Sequence, residues 1–118
     1  MPEFKSFAQT GDVVDYKNDV EFDQEERRLI RGGHVMATGI SITWQNGPCD
    51  RAAGQKANGA FIEDLLEACR LRLKAYQESP FGCEENAEAM AHISSALWAM
   101  TRRREDRKNR GVLGKDEV

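Results

Sequence analysis

Residues 58–111, NGAFIEDLLEACRLRLKAYQESPFGCEENAEAMAHISSALWAMTRRREDRKNRG, decide how this chain is built. Ile62, Leu65, Leu66, Cys69, Leu73 and Tyr76 recur at spacings of three, four and seven, which puts them on one stripe of a helix. Met90, Ile93, Leu97 and Met100 repeat the pattern. Between the stripes, Ser79-Pro80-Phe81-Gly82 is too short to do more than reverse the chain. The two helices are therefore predicted to run antiparallel as a hairpin, with the second extending from near Cys83 to about Lys108. Asn58 stands where it could cap the first helix, and Glu63 and Asp64 suit its positive end. Cys69 lies on the stripe and reads as a small core residue.

Outward from the hairpin the signals shorten. From His34 to Gln45 the alternation is clear, with Met36, Thr38, Ile40, Ile42 and Trp44 on one face and Val35, Ala37, Gly39, Ser41 and Thr43 on the other, as in a half-buried strand. Gln45-Asn46-Gly47-Pro48 stops it, and a Gly/Ala/Lys-rich loop with Arg51 and Lys56 follows. Upstream, Gly32-Gly33 reads as a turn, residues 12–22 as an edge strand or irregular segment, and residues 1–11 as a loose arm. The expected fold is α+β: a small N-terminal antiparallel β-sheet followed by a long helical hairpin. The 118 residues make one domain, divided into arm (1–11), β-rich segment and loop (12–57), hairpin (58–111) and tail (112–118).

Composition narrows the function. With 40% apolar and 31% charged residues the chain has modest apolar area to bury and gains by associating with copies of itself. No apolar run is long enough for a membrane span and no charged-then-apolar leader is present, so the cytoplasm is expected. Cys49, Cys69 and Cys83 cannot all pair within the chain and show no zinc spacing, and His34 and His92 each stand alone, so neither metal nor cofactor is expected. The net charge of −3 hides an asymmetry. Residues 1–30 carry eight acids against four bases, whereas residues 101–111 carry six bases against two acids. Past Met100 the apolar spacing lands on Arg104 and Arg107, with Arg103 alongside, so the seam turns from apolar to guanidinium. Arginines drawn off solvent need acceptors, either carboxylates or a phosphate.

Five runs, taken in order, carry a family resemblance. They are Ile42-Thr43-Trp44-Gln45-Asn46-Gly47-Pro48, Asn58-Gly59-Ala60, Arg72-Leu73 with Tyr76-Gln77, Cys83-Glu84-Glu85-Asn86, and Arg107-Lys108-Asn109-Arg110-Gly111-Val112-Leu113-Gly114. From about Met36 to Gly114 the chain resembles the phage Thoeris anti-defense proteins of the first type, which share a helical hairpin with the phage anti-CBASS sponges. The resemblance implies a homo-oligomer, a dimer or a higher assembly such as a hexamer. It implies a non-enzymatic role: sequestering, without cleavage, the cyclic ADP-ribose isomer made by the bacterial TIR-domain defence enzyme. Cyclic oligonucleotides are a second ligand class held by some members in separate pockets. Carried over by position, the implied ligand-binding residues are Arg51, Tyr76, Asn86, Arg103 and Arg107, with Trp44 and Phe81 as further stacking candidates. The chain departs from the family pattern at Glu84, where arginine is expected, and at Leu113, where an acid is expected.

Two other classes compete. A nucleic-acid-binding module would track phosphates with the basic helix end, against the net acidity of the chain. A small nucleotide hydrolase would need acids beside the arginines, and Glu84, Glu85 and Asp64 are the candidates. Helix geometry constrains the ligand reading: Asn86 and Arg103 are 17 residues apart on one predicted helix, roughly 25 Å. A site using both therefore needs two chains.

Overall fold

The computed structural model describes Phe4, Lys5 and residues 13–118. The chain forms two compact units, Met1–Ala60 and Phe61–Val118. Apart from Phe4 and Lys5, the expected arm of residues 1–11 lies outside the described residues.

The first unit is an antiparallel meander in which β1 (Phe4–Lys5), β2 (Val13–Phe22), β3 (Arg28–Ala37) and β4 (Ile40–Thr43) pair in sequence order. The β2–β3 turn is built on Asp23. Its Oδ1 accepts from the amides of Glu25 and Arg27, both at 2.9 Å, and its Oδ2 accepts from Arg27 Nε at 2.7 Å. These bonds, first the Arg27 amide, favour the charged carboxylate and hold its pKa below the usual range.

Two expectations for this region are corrected. Gly32-Gly33 makes no turn but sits inside β3 where the register with β2 slips between Asn18 and Val20. Gly33 adopts φ 140°, and a Cβ there would overlap the Lys17 carbonyl, so the pair serves a β-bulge pressed against its neighbour. The single strand predicted over 34–45 is two strands, because Thr38-Gly39 turns the chain with Gly39 at φ 77°. Ala37 pairs with Ile40, Val35 with Ile42 and Met36 with Ser41, which mixes the two predicted faces. Tyr16, Val35 and Ile42 then form one half-buried cross-strand row, beside buried Val14.

A clasp closes the loop after β4. Trp44 bridges Ala60 in parallel, with Gln45 N donating to Ala60 O at 3.0 Å and Ala60 N to Thr43 O at 2.8 Å. Asn58 completes it: Oδ1 accepts from Asn46 N at 2.8 Å, Nδ2 donates to Asn46 O at 3.0 Å, and its own amide donates to Gln45 Oε1 at 2.8 Å. Asn58 is thus no helix cap. The amide side chain that could have satisfied a helix start ties residues 45 and 46 to 58 instead, and the N-cap position of the first helix falls on Phe61, without a side-chain cap.

The second unit is the helical hairpin. Helix α1 spans Ile62–Gln77 and α2 spans Glu84–Asn109. Gln77 locks the connector, its Nε2 donating to Cys83 O at 2.9 Å and its Oε1 accepting from Cys83 N at 2.8 Å. Ser79 Oγ donates to Tyr76 O at 2.5 Å and accepts from Phe81 N at 3.1 Å. The apolar stripes face each other, with Leu65, Leu66, Leu73, Met90, Ile93, Leu97 and Met100 half-buried, yet no residue of either helix is fully buried. Cys69, expected in that core, is exposed. Two helices alone cannot cover a stripe on both flanks. α2 has 26 residues against 16 in α1, so about 15 Å of its C-terminal end runs past its partner.

Candidate functional site

The overhang of α2 is where the arginines lie. Arg103 and Arg104 are exposed and Arg107 is half-buried, so the seam expected to continue through Arg104 ends where α1 ends. Among the described residues the side chains of Arg28, Arg51, Arg72, Arg102, Arg103 and Arg104 make no hydrogen bond or ion pair to the protein, whereas other arginines are committed. Arg27 holds Asp23 at 2.7 Å, Arg31 holds Glu21 at 3.0 Å, and Arg110 holds Asp106 at 3.1 Å. Arg70 grips both oxygens of Glu67, at 2.8 and 2.5 Å. That grip keeps the Glu67 carboxyl below its usual pKa and raises the guanidinium, first through the paired hydrogen bond and then through the opposite charge. Arg107 Nη2 donates to the carbonyls of Val112 and Lys115 at 3.0 and 2.9 Å.

The connector end carries aromatic surface instead. Tyr76 is 41% exposed and Phe81 74% exposed, and with Arg72, Ala75 and Ser79 they line a shallow cavity of about 210 Å³. The Arg72 guanidinium lies over the Tyr76 ring, 5.1 Å from its centroid, so one face of the ring is already covered by a cation. Asn86 sits in the first turn of α2, half-buried and near this cavity in sequence. The structure therefore groups the expected residues of this unit into Tyr76, Phe81 and Asn86 at the connector, and Arg103 and Arg107 at the overhang. α2 runs unbroken between Asn86 and Arg103, which keeps them roughly 25 Å apart.

Arg51 and Trp44 belong to the other unit. Arg51 opens a single 3-10 turn, Arg51–Ala53, in the clasped loop, where Asp50 Oδ1 accepts from Ala53 N at 3.3 Å. Trp44, half-buried, borders an open cleft of about 680 Å³ with Asp15, Asp19, His34, Met36, Asn46 and Asn58. His34 Nε2 lies 3.1 Å from Asp15 Oδ2 there.

A family model, the Acb2/Tad1 hairpin domain, matches residues 36–105, more than half of the chain and all of both facing stripes. The chain belongs to the Acb2/Tad1 hairpin family. It is also 36% identical over 77 residues to Thoeris anti-defense 1 of Bacillus phage SBSphiJ7, a match covering 65% of this chain and 52% of that protein. The chain thus spans about half the length of that curated relative. The matched region contains the clasp, α1, the connector and α2 as far as Glu105, so it ends inside the arginine overhang, before Arg107.

One charged residue lining the connector cavity escapes sequence reading. Arg72 is four positions before Tyr76, a spacing that brings side chains together on a helix, and that spacing was the available signal.

Proposed function

We propose that this chain is a phage anti-defense protein that binds and sequesters the cyclic ADP-ribose isomer signal of the bacterial Thoeris TIR system, without cleaving it, in the cytoplasm of the infected cell. The observation that carries the reading is the division of the hairpin into a connector end bearing Tyr76, Phe81 and Asn86 and an overhang bearing Arg103 and Arg107, held apart by one unbroken helix. The connector end offers a stacking surface for adenine with one cation, Arg72, already laid on Tyr76, and the overhang offers the further cations that a pyrophosphate calls for. Two hairpins packed antiparallel bring the connector of one to the overhang of the other, and a twofold axis makes two equivalent pockets. In each, Tyr76 and Phe81 stack on the base, Asn86 reads a ribose or base edge, and Arg103 and Arg107 of the second copy hold the phosphates.

Arg51 and Trp44 are further ligand-binding candidates on this reading, and cyclic oligonucleotides are a second ligand class beside the Thoeris signal. Binding of this kind uses no nucleophile and no paired carboxylates, which separates it from a hydrolase. The deciding experiment incubates the protein with the cyclic ADP-ribose isomer, removes free ligand, denatures the protein with heat and analyses what is released. Intact ligand in stoichiometric amount supports sequestration; a cleaved product, or no retained ligand, defeats it.

A further inference from the structure

Helix α1 carries two arginines with opposite fates. Arg70 has Glu67 three positions before it and grips both oxygens of that carboxylate. Arg72 has Ala68, Cys69, Ala75 and Tyr76 at the positions three and four away, where side chains meet on a helix, and none of them is an acid. Among the described residues no oxygen accepts from any of its N–H groups; the interaction it does make is with the Tyr76 ring, 5.1 Å from guanidinium to centroid.

That contact fixes the cation without using it up. A cation over a ring is attracted by the ring's quadrupole, so the five donors of the guanidinium stay free for an acceptor from outside the chain. Both two-pronged edges, Nε with Nη2 and Nη1 with Nη2, are open, and each can take two oxygens of one phosphate. The ring beneath is itself held. Ser79 Oγ donates to the Tyr76 carbonyl at 2.5 Å and accepts from the Phe81 amide at 3.1 Å, so one hydroxyl ties the backbones of both aromatics together. Arg72, Tyr76 and Phe81 line one cavity, whose volume of about 210 Å³ is below the roughly 300–1,000 Å³ of sites that enclose a whole ligand. It has room for one flat part of a ligand, while the rest continues past the rim.

We propose that Arg72 is a ligand-binding residue of the connector cavity: a base lies against Phe81 and the open face of Tyr76, and the Arg72 guanidinium takes the phosphate oxygens that leave the cavity beside it. The inference rests on the sequestration reading above. It adds to that reading a cation from the same chain as the stacking rings, whereas Arg103 and Arg107 come from the second copy. Because the Tyr76 ring already restrains the guanidinium, little freedom is lost when a phosphate arrives.

Titration of the full chain with the cyclic ADP-ribose isomer, at low and at high salt, tests this. Arg72→Met keeps an unbranched side chain against Tyr76 and removes the donors; at low salt it is expected to weaken binding about tenfold, with the gap to wild type narrowing as salt rises. Arg72→Lys, which keeps the charge without the planar fork, should fall between the two. Arg70→Met removes the same charge from α1 about 200° round the helix and is expected to leave affinity unchanged. On the wild-type chain, without any substitution, the nitrogen-bound proton signals of the Arg72 guanidinium should move when ligand is added. Unmoved signals with ligand bound, or unchanged affinity in Arg72→Met, would overturn the proposal. A loss in Arg72→Met that is equal at every salt concentration would mean that Arg72 only shapes Tyr76, and an equal loss in Arg70→Met that the charge acts at a distance; either overturns it. Tighter binding by Arg72→Met would show guanidinium and base competing for the ring, with the same result. A wild-type titration showing no binding removes the underlying reading, and the inference with it.

Discussion

Arg103 and Arg107 lie one helical turn apart, yet in the free chain they have different work. Arg103 is exposed and makes no bond among the described residues, whereas Arg107 ties the Val112 and Lys115 carbonyls to α2. Alanine at either position is expected to weaken binding of the cyclic ADP-ribose isomer by on the order of 2 to 5 kcal/mol. Only Arg107→Ala should also lower the melting temperature, since it strands two carbonyls; calorimetry beside the titration separates the two effects. Should Arg103→Ala melt early while its folded fraction binds normally, the residue would be structural. Backbone requirements are as local. Gly33→Ala forces β2 and β3 apart and is expected to cost more than about 2 kcal/mol in denaturant unfolding. Gly39→Ala, with φ 77° but open space around it, should cost only about 1 kcal/mol. Equal costs would show that strain at φ, and not the Lys17 carbonyl, governs Gly33.

At the scale of elements, the β2–β3 hairpin depends on one carboxylate. Asp23 has its pKa lowered in the folded chain, first by the Arg27 amide. Its contribution to stability is therefore complete above the pKa of the unfolded chain and is lost as pH falls through the lower folded value. Amide chemical shifts of Glu25 and Arg27 are expected to leave their native positions in that acidic window, and Asp23→Asn should remove the transition; a transition unchanged in the variant assigns it to another acid. The helices were legible from sequence because a 3.6-residue apolar period, kept from Ile62 to Tyr76 and again from Met90 to Met100, rarely arises except on an amphipathic helix, and the connector admitted only an antiparallel pair. The sheet was less so. A two-residue turn preserves the alternation of apolar and polar residues, so Thr38-Gly39 passed unseen and one strand stood for two. Asn58 misled because one short amide suits a helix cap and a loop clasp equally, and only the proximity of Asn46 chooses between them. Of the candidate site, the separation of Asn86 from Arg103 could be computed from residue numbers and the Arg72–Tyr76 contact was available in their spacing of four, but the contacts of Arg107 depend on where the chain returns after α2.

For the whole molecule the proposed two-chain pocket gives a decisive arithmetic. A heterodimer of one Asn86→Ala chain with one Arg103→Ala chain would have one pocket with both lesions and one with neither, so titration should find half the wild-type sites at near wild-type affinity. A population lacking any wild-type class would assign both residues to one chain and end the two-chain model. Light scattering should accordingly give a multiple of 13.3 kDa at micromolar concentration. The two helices of the hairpin contain no fully buried residue. If their missing cover is another hairpin, folding is linked by mass action to how much protein is present. The melting temperature would rise with concentration, and, on the sequestration proposed above, protection of the phage would show a threshold in dose: below it the chains are too dilute to complete one another, and doubling their number would more than double the signal they absorb.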